Sequence, residues 1–87
     1  MPMIVGQHES CDVRVSNDPY VSSRHCAVRR DEHGCIWVHD LGSLNGTRVE
    51  RDGIKYRVYG PPGWRMRPGD TLWVGRTPIR WNPEATR

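Results

Sequence analysis

An 87-residue chain lies close to the lower size at which apolar burial alone holds a fold, so it is read as one domain, 1–87, without room for a large interior active-site cavity. Its 9 Gly and 7 Pro argue against a helical bundle, which they would interrupt, and its four Trp and three Tyr supply core material that disordered chains lack. The net charge of +3 suits an acidic partner, but the basic residues are spread along the sequence, so charge alone favours a solvated surface over a nucleic-acid face.

The N-terminal "MPMIVGQ" has neither the charged nor the apolar region of a signal peptide, and no apolar run approaches the roughly 20 residues of a membrane span. A soluble, cytoplasmic protein is expected. The three Cys at 11, 26 and 35 contain no C-x-x-C pair, so neither a disulfide framework nor a zinc knuckle is signalled.

Every convincing periodicity along the chain is two. In "CDVRVS" Val13 and Val15 alternate with Asp12 and Arg14, the pattern of a strand with one wet face. "RHCAVRR" and "CIWVHDL" read as a hairpin about a four-residue "DEHG" connection, with Cys26 and Val28 core-facing on the first strand and, on the second, Ile36 and Val38 on one face and Trp37 and His39 on the other. "TRVERDGIKYRVYG" reads as two strands about an Asp52-Gly53 turn. "GPPGW" then forms a rigid loop whose prolines break any ladder. A turn at Pro68 to Asp70 leads into a strand with Leu72 and Val74 inward, followed by a last strand, "TPIRW", carrying Ile79 and Trp81, and a frayed "NPEATR" tail. Short strands at regular spacing, separated by turn residues, indicate an all-β sandwich or barrel.

Function on such a scaffold sits in the loops at one end of the strands. "YVSSRHCAV" (20–28) and "DLGSLNGT" (40–47) are the candidates. Ser22 and Ser23 offer hydroxyls and Arg24 a planar cation, a combination suited to a phosphate. Asn45 carries donor and acceptor in one amide, which suits a peptide backbone, and Gly46 and Thr47 fix its turn. Taken singly, each stretch has an ordinary reading as turn chemistry.

Together they resemble the forkhead-associated (FHA) domain, a phosphothreonine-peptide reader. Its recurring pattern of Gly-Arg, Ser-x-x-His, Asp-Leu-Gly-Ser-x-Asn-Gly-Thr, Gly-Asp and a later Gly is matched here by Gly6-Gln7, "SSRH" at 22–25, "DLGSLNGT" at 40–47, Gly69-Asp70 and Gly75, in order over residues 3 to 81. The resemblance implies a small sandwich of antiparallel strands with its binding loops around 6–8, 20–25 and 42–47. It also implies a non-catalytic module that binds a phosphothreonine-containing protein or peptide without cofactor or metal. In that reading Ser22 holds a phosphate oxygen, and Ser23 and Arg24 border the phosphate or the peptide main chain. Asn45 bonds the peptide backbone with Leu44 beside it, while Gly6, His25, Gly46 and Thr47 support the loops.

The sequence departs from the pattern in two places. Gln7 stands where the family has an Arg that meets the phosphate, and losing a charge-assisted bond of roughly 1.5–3 kcal/mol lowers affinity about tenfold to a hundredfold, offset in part by Arg24 or protonated His8. Only five residues precede Gly6, where the family usually has two strands, which leaves "TPIRW" as an open edge and suggests a homodimer through it. The rival readings are a phosphate-independent assembly module using that edge or Trp37, Trp64 and Trp73, and an enzyme built on the four His and three Cys. The His lie on separate segments without ligand spacing, and Cys26 reads as a core residue, so the enzyme reading is the weaker.

Overall fold

The computed structural model describes residues 2–80, and no helix among them is long and apolar enough to cross a membrane. Among these residues nine strands run in chain order as β1 (Met3–Gly6), β2 (Val13–Arg14), β3 (Cys26–Arg30), β4 (Ile36–Asp40), β5 (Thr47–Arg51), β6 (Ile54–Val58), β7 (Trp64–Arg65), β8 (Thr71–Val74) and β9 (Thr77–Arg80). They form a five-stranded sheet, β2-β1-β3-β4-β7, facing a four-stranded one, β6-β5-β8-β9. Alternation puts Val5, Cys26, Val28 and Val38 of the first sheet against Val49, Val58, Leu72 and Val74 of the second, all buried in one core.

The β5–β6 hairpin follows its turn signal, with Asp52 and Gly53 both at positive φ (54° and 78°) as a two-residue connection requires. Elsewhere the structure corrects the sequence reading. Met3–Gly6 is a strand, pairing with β3 and β2, that a four-residue terminal run did not announce. The "CDVRVS" strand shrinks to Val13–Arg14 and runs parallel to β1, so the sandwich is not wholly antiparallel. The β3–β4 connection spans five residues, 31–35, because the Asp31 carboxylate accepts from the His33 and Cys35 N–H groups and so takes Cys35 into the turn. The proline loop does not end the sheet: immediately after it, Trp64 and Arg65 pair with Val38 and Trp37. Trp81 and the tail 82–87 lie outside the described residues.

One end of the sandwich is closed by an ion pair. The Arg51 guanidinium meets Asp70 in a fork, Nε to Oδ1 at 2.8 Å and Nη2 to Oδ2 at 2.7 Å, and lies over the Trp64 ring at 4.9 Å. Burial alone would push the Asp70 carboxyl up, but the Arg51 fork and the Arg67 N–H hold it below the usual carboxylate range. Because Asp70 is only 1% exposed, Arg51→Ala strands a buried carboxylate. It is expected to destabilise the domain by about 2 kcal/mol, less than a fully buried pair because Arg51 is partly in water. Urea unfolding of the variant checks this.

Candidate functional site

Three loops meet at the end of the sandwich where β1 and β4 finish and β3 begins. The first follows β1. Gln7 N–H donates to Ser22 O (3.0 Å) and His8 N–H to Ser23 O (3.1 Å), so the segment after Gly6 lies along the Ser22-Ser23 backbone. The approach is so close that a Cβ at position 6 would fall 2.2 Å from Ser23 O, which is why a glycine stands there.

The second loop, 16–25, is held by Asp18. Its carboxylate accepts from Tyr20 N–H (2.9 Å), Arg76 N–H (2.7 Å) and the Thr77 hydroxyl (2.8 Å), tying the loop to the β8–β9 turn. The Arg76 guanidinium lies 4.2 Å from the centre of the Tyr20 ring. The third loop, 41–46, is built around Asp40. Its carboxylate accepts from Ser43 N–H (2.8 Å), the Ser43 hydroxyl (2.5 Å) and the Thr47 hydroxyl (2.7 Å), and Ser43 Oγ in turn accepts from Gly46 N–H (3.0 Å). The polar residues of "DLGSLNGT" are therefore largely occupied in folding their own loop.

His25 joins the second loop to the third. It is fully buried, its Nδ1 accepts from Ser22 N–H (3.0 Å) and its Nε2 donates to Gly46 O (2.8 Å). Those two partners fix the tautomer with hydrogen on Nε2. Two further bonds cross the same seam: Leu44 N–H donates to Ser22 Oγ (3.1 Å), and Asn45 Nδ2 donates to Tyr20 O (2.9 Å). A hydroxyl that accepts in this way keeps its own hydrogen to donate, and Asn45 keeps Oδ1 and a second N–H. Ser23 and Arg24 are exposed beside them, and Leu44 is 88% exposed at the rim.

The predicted residues are thus brought together, with the Gln7 amide tied to the second loop: its Nε2 donates to Asp18 O (3.2 Å). The cation that stands beside it was missed by the sequence reading. Arg14 lines, with Gln7, His8, Glu9, Ser16 and Ser23, an open polar depression of about 520 Å³, and its Nε donates to Gln7 O (3.2 Å). Its only signal was its place as the polar residue between Val13 and Val15.

His25 and Cys26 are both taken up by the frame of the site. Both ring nitrogens of His25 are occupied, and burial, with the nearby Asp40 charge, pushes the Cys26 thiol up to about 12. Among the described residues no three His, Cys, Asp or Glu are grouped to hold a metal. The three Trp proposed as a contact surface are also engaged: Trp37 donates to Asp31, Trp73 to Glu50, and Trp64 stacks on Tyr56 at 4.9 Å.

The loop carboxylates set the acid limit of the site. Burial raises Asp18 and Asp40, but their hydrogen bonds, from Tyr20, Thr77 and Arg76 to the one and from Ser43 and Thr47 to the other, outweigh it and hold both below the usual carboxylate range. A depressed folded value means stability that is complete above about pH 4 and is lost as pH falls through that value. Protection of the Tyr20, Ser43 and Gly46 amides, taken relative to the intrinsic exchange rate at each pH, is therefore expected to be lower near pH 3 than at pH 5; equal protection at both would contradict this.

A two-sheet sandwich, without a helix among the described residues and with three loops locked into a polar cradle at one end, defines a β-sandwich interaction module. The chain belongs to the FHA domain family, whose pattern matches residues 3–75. It is similar to the FHA domain-containing protein FhaB of Mycolicibacterium smegmatis, 36% identical over 72 residues, which are 82% of this chain and 44% of that protein. It is likewise similar to the oxoglutarate dehydrogenase inhibitor of Corynebacterium glutamicum, 37% identical over 71 residues, covering 82% of this chain and 43% of that protein. The chain thus spans about half the length of the curated relatives it matches. Among solved structures, one from a structural and functional analysis of phosphothreonine-dependent FHA domain interactions superposes with a TM-score of 0.71 at 28% identity, covering 94% of this chain and 78% of that one. The N-terminal FHA domain of S. cerevisiae Rad53p, solved with a phosphothreonine peptide, gives 0.71 at 27% identity over 86% of this chain and 56% of that one.

Proposed function

We propose that this single domain is a non-catalytic, cytoplasmic module that binds a phosphothreonine-containing protein through the cradle at 6–8, 20–25 and 42–47. The observation that carries the reading is the His25 tie. It holds Ser22, on one loop, and Leu44 to Gly46, on another, in one rigid arrangement, so the Ser22 hydroxyl and the Asn45 amide are presented together. Ser22 and Ser23 take phosphate oxygens, Asn45 takes the peptide main chain, and Leu44 and Arg24 form the rim. Arg14 supplies the positive charge that Gln7 does not, since Arg14 lines the depression that Ser23 also lines. Gly6, Gly46 and Thr47 keep the loops in place.

The reading is tested by titrating a degenerate phosphothreonine peptide library and its unphosphorylated counterpart into the wild type, Arg14→Gln and Gln7→Arg. A preference for phosphate of tenfold or more is expected, because charge-assisted bonds are worth roughly 1.5–3 kcal/mol. It should weaken in Arg14→Gln and strengthen in Gln7→Arg. Equal binding of both libraries would sink it.

A second reading, self-association, is favoured by the open side of the sandwich. Among the described residues β9 has β8 as its one sheet neighbour, and beside it Met3, Val13, Met66 and Ile79 line an apolar slot of about 50 Å³. Pro78, on that edge, lacks an N–H and weakens it as a template. Light scattering at high protein concentration gives a dimer mass if β9 pairs with a second copy, and a monomer mass if it does not.

A further inference from the structure

The outer face of the four-stranded sheet gathers charges that the sequence keeps apart. Inward positions on β5, β6 and β8 carry Thr47, Val49, Val58, Leu72 and Val74, so their alternates face out. Register then places Arg48 directly opposite Arg57, and Glu50 opposite Lys55 and Thr71, with Thr71 opposite Arg80. Arg48, Arg57, Lys55 and Arg80 thus share a face with the single carboxylate of Glu50, and that carboxylate already accepts from the Trp73 indole (2.8 Å).

The Arg48–Arg57 pair is the unusual feature. Like charges directly opposite on neighbouring strands destabilise a sheet. The ion pairs among the described residues are His33–Glu32 and Arg51–Asp70, so neither arginine has a carboxylate partner. Both abut the cradle. Arg48 Nη1 reaches Asn45 O at 3.5 Å, and the Arg57 guanidinium lies over Gly46, where a Cβ would fall 2.7 Å from its Cζ. Beside them, Arg57 sits 5.5 Å from the centre of the Tyr59 ring, which is 68% exposed.

We infer that this face is an extension of the binding site, which receives a run of Asp and Glu flanking the phosphothreonine of the same partner; the inference rests on the phosphothreonine reading above. Charge complementarity and continuity with the cradle favour that occupant. A single-stranded nucleic acid would need open aromatic faces on which to stack bases. Here the Trp73 ring is covered by Lys55 Nζ at 3.9 Å and pinned through its indole N–H, and the exposed Tyr59 ring carries Arg57 over it at 5.5 Å, so this face presents no row of open rings.

The test uses phosphothreonine library peptides carrying four Asp/Glu or four Asn/Gln residues on either side, the same peptides with plain threonine, and a random single-stranded oligonucleotide, all at low salt. The acidic tail, on one side, is expected to bind about tenfold more tightly than the neutral one, and this ratio should fall to about one in Arg48→Gln/Arg57→Gln. Arg57→Glu, which places a carboxylate opposite Arg48, should bring the ratio to or below one while raising the melting temperature. A ratio near one in the wild type on both sides, or a tenfold ratio that survives in the double variant, would overturn the inference. So would an oligonucleotide that outcompetes the acidic-tail peptide. If plain-threonine peptides show the same affinities and the same tail ratio, the phosphothreonine reading fails while the acidic face stands.

Discussion

His25→Ala is expected to lower the stability of the domain by about 4 kcal/mol and its melting temperature by roughly 20 °C. The substitution removes a fully buried side chain and leaves two buried backbone groups, Ser22 N–H and Gly46 C=O, without the partners they have at 3.0 and 2.8 Å. Each orphaned group costs about 1–3 kcal/mol and the cavity adds to it. For a domain of this size, whose whole stability is of the order of 5–10 kcal/mol, that leaves a substantial unfolded fraction at 37 °C. His25→Gln, whose amide carries a donor for Gly46 O and an acceptor for Ser22 N–H but on a flexible chain in a different geometry from the imidazole, should recover part of the loss. Circular dichroism melts of the three proteins give the comparison, and a melt of the Ala variant within 5 °C of wild type would show that the loops do not depend on this tie.

Ser22→Ala has its large effect on binding instead. The Ser22 hydroxyl accepts one bond, from Leu44 N–H, and that group is exposed enough to find water, so the melting temperature should move by only a few degrees. On the proposed reading the same hydroxyl donates to a phosphate oxygen, and its removal is expected to reduce phosphopeptide affinity about thirtyfold to a hundredfold while leaving any weak binding of the unphosphorylated peptide unchanged. A variant that lost both in equal measure would place Ser22 in the peptide groove but away from the phosphate. These two substitutions, three residues apart, thus separate the frame of the site from its chemistry.

How far the sequence carried this account depended on whether a signal was local. Asp52-Gly53 sits between two alternating runs, and the hairpin it marks is present with both residues at positive φ. The ordered motifs from Gly6 to Gly75 pointed to one family, to which the chain belongs. Features made by distant residues were invisible. Asp18 has no motif of its own, and its role comes from meeting Arg76 and Thr77, nearly sixty positions away. Arg14 and Gln7 share a depression only because β2 runs parallel to β1. The basic face arises from the β5–β6 register, which sets Arg48 and Arg57 side by side although eight residues separate them in the chain.

The cradle itself can be observed directly. Titrating a phosphothreonine library into isotope-labelled protein and following its amide signals is the most direct test, since at 10.0 kDa each backbone N–H is resolvable. The account predicts that the largest shifts fall on His8, Ser22, Ser23, Leu44 and Gly46, and that the unphosphorylated library leaves them in place. Shifts confined to β9 and its neighbours, whether or not phosphate is present, would contradict it.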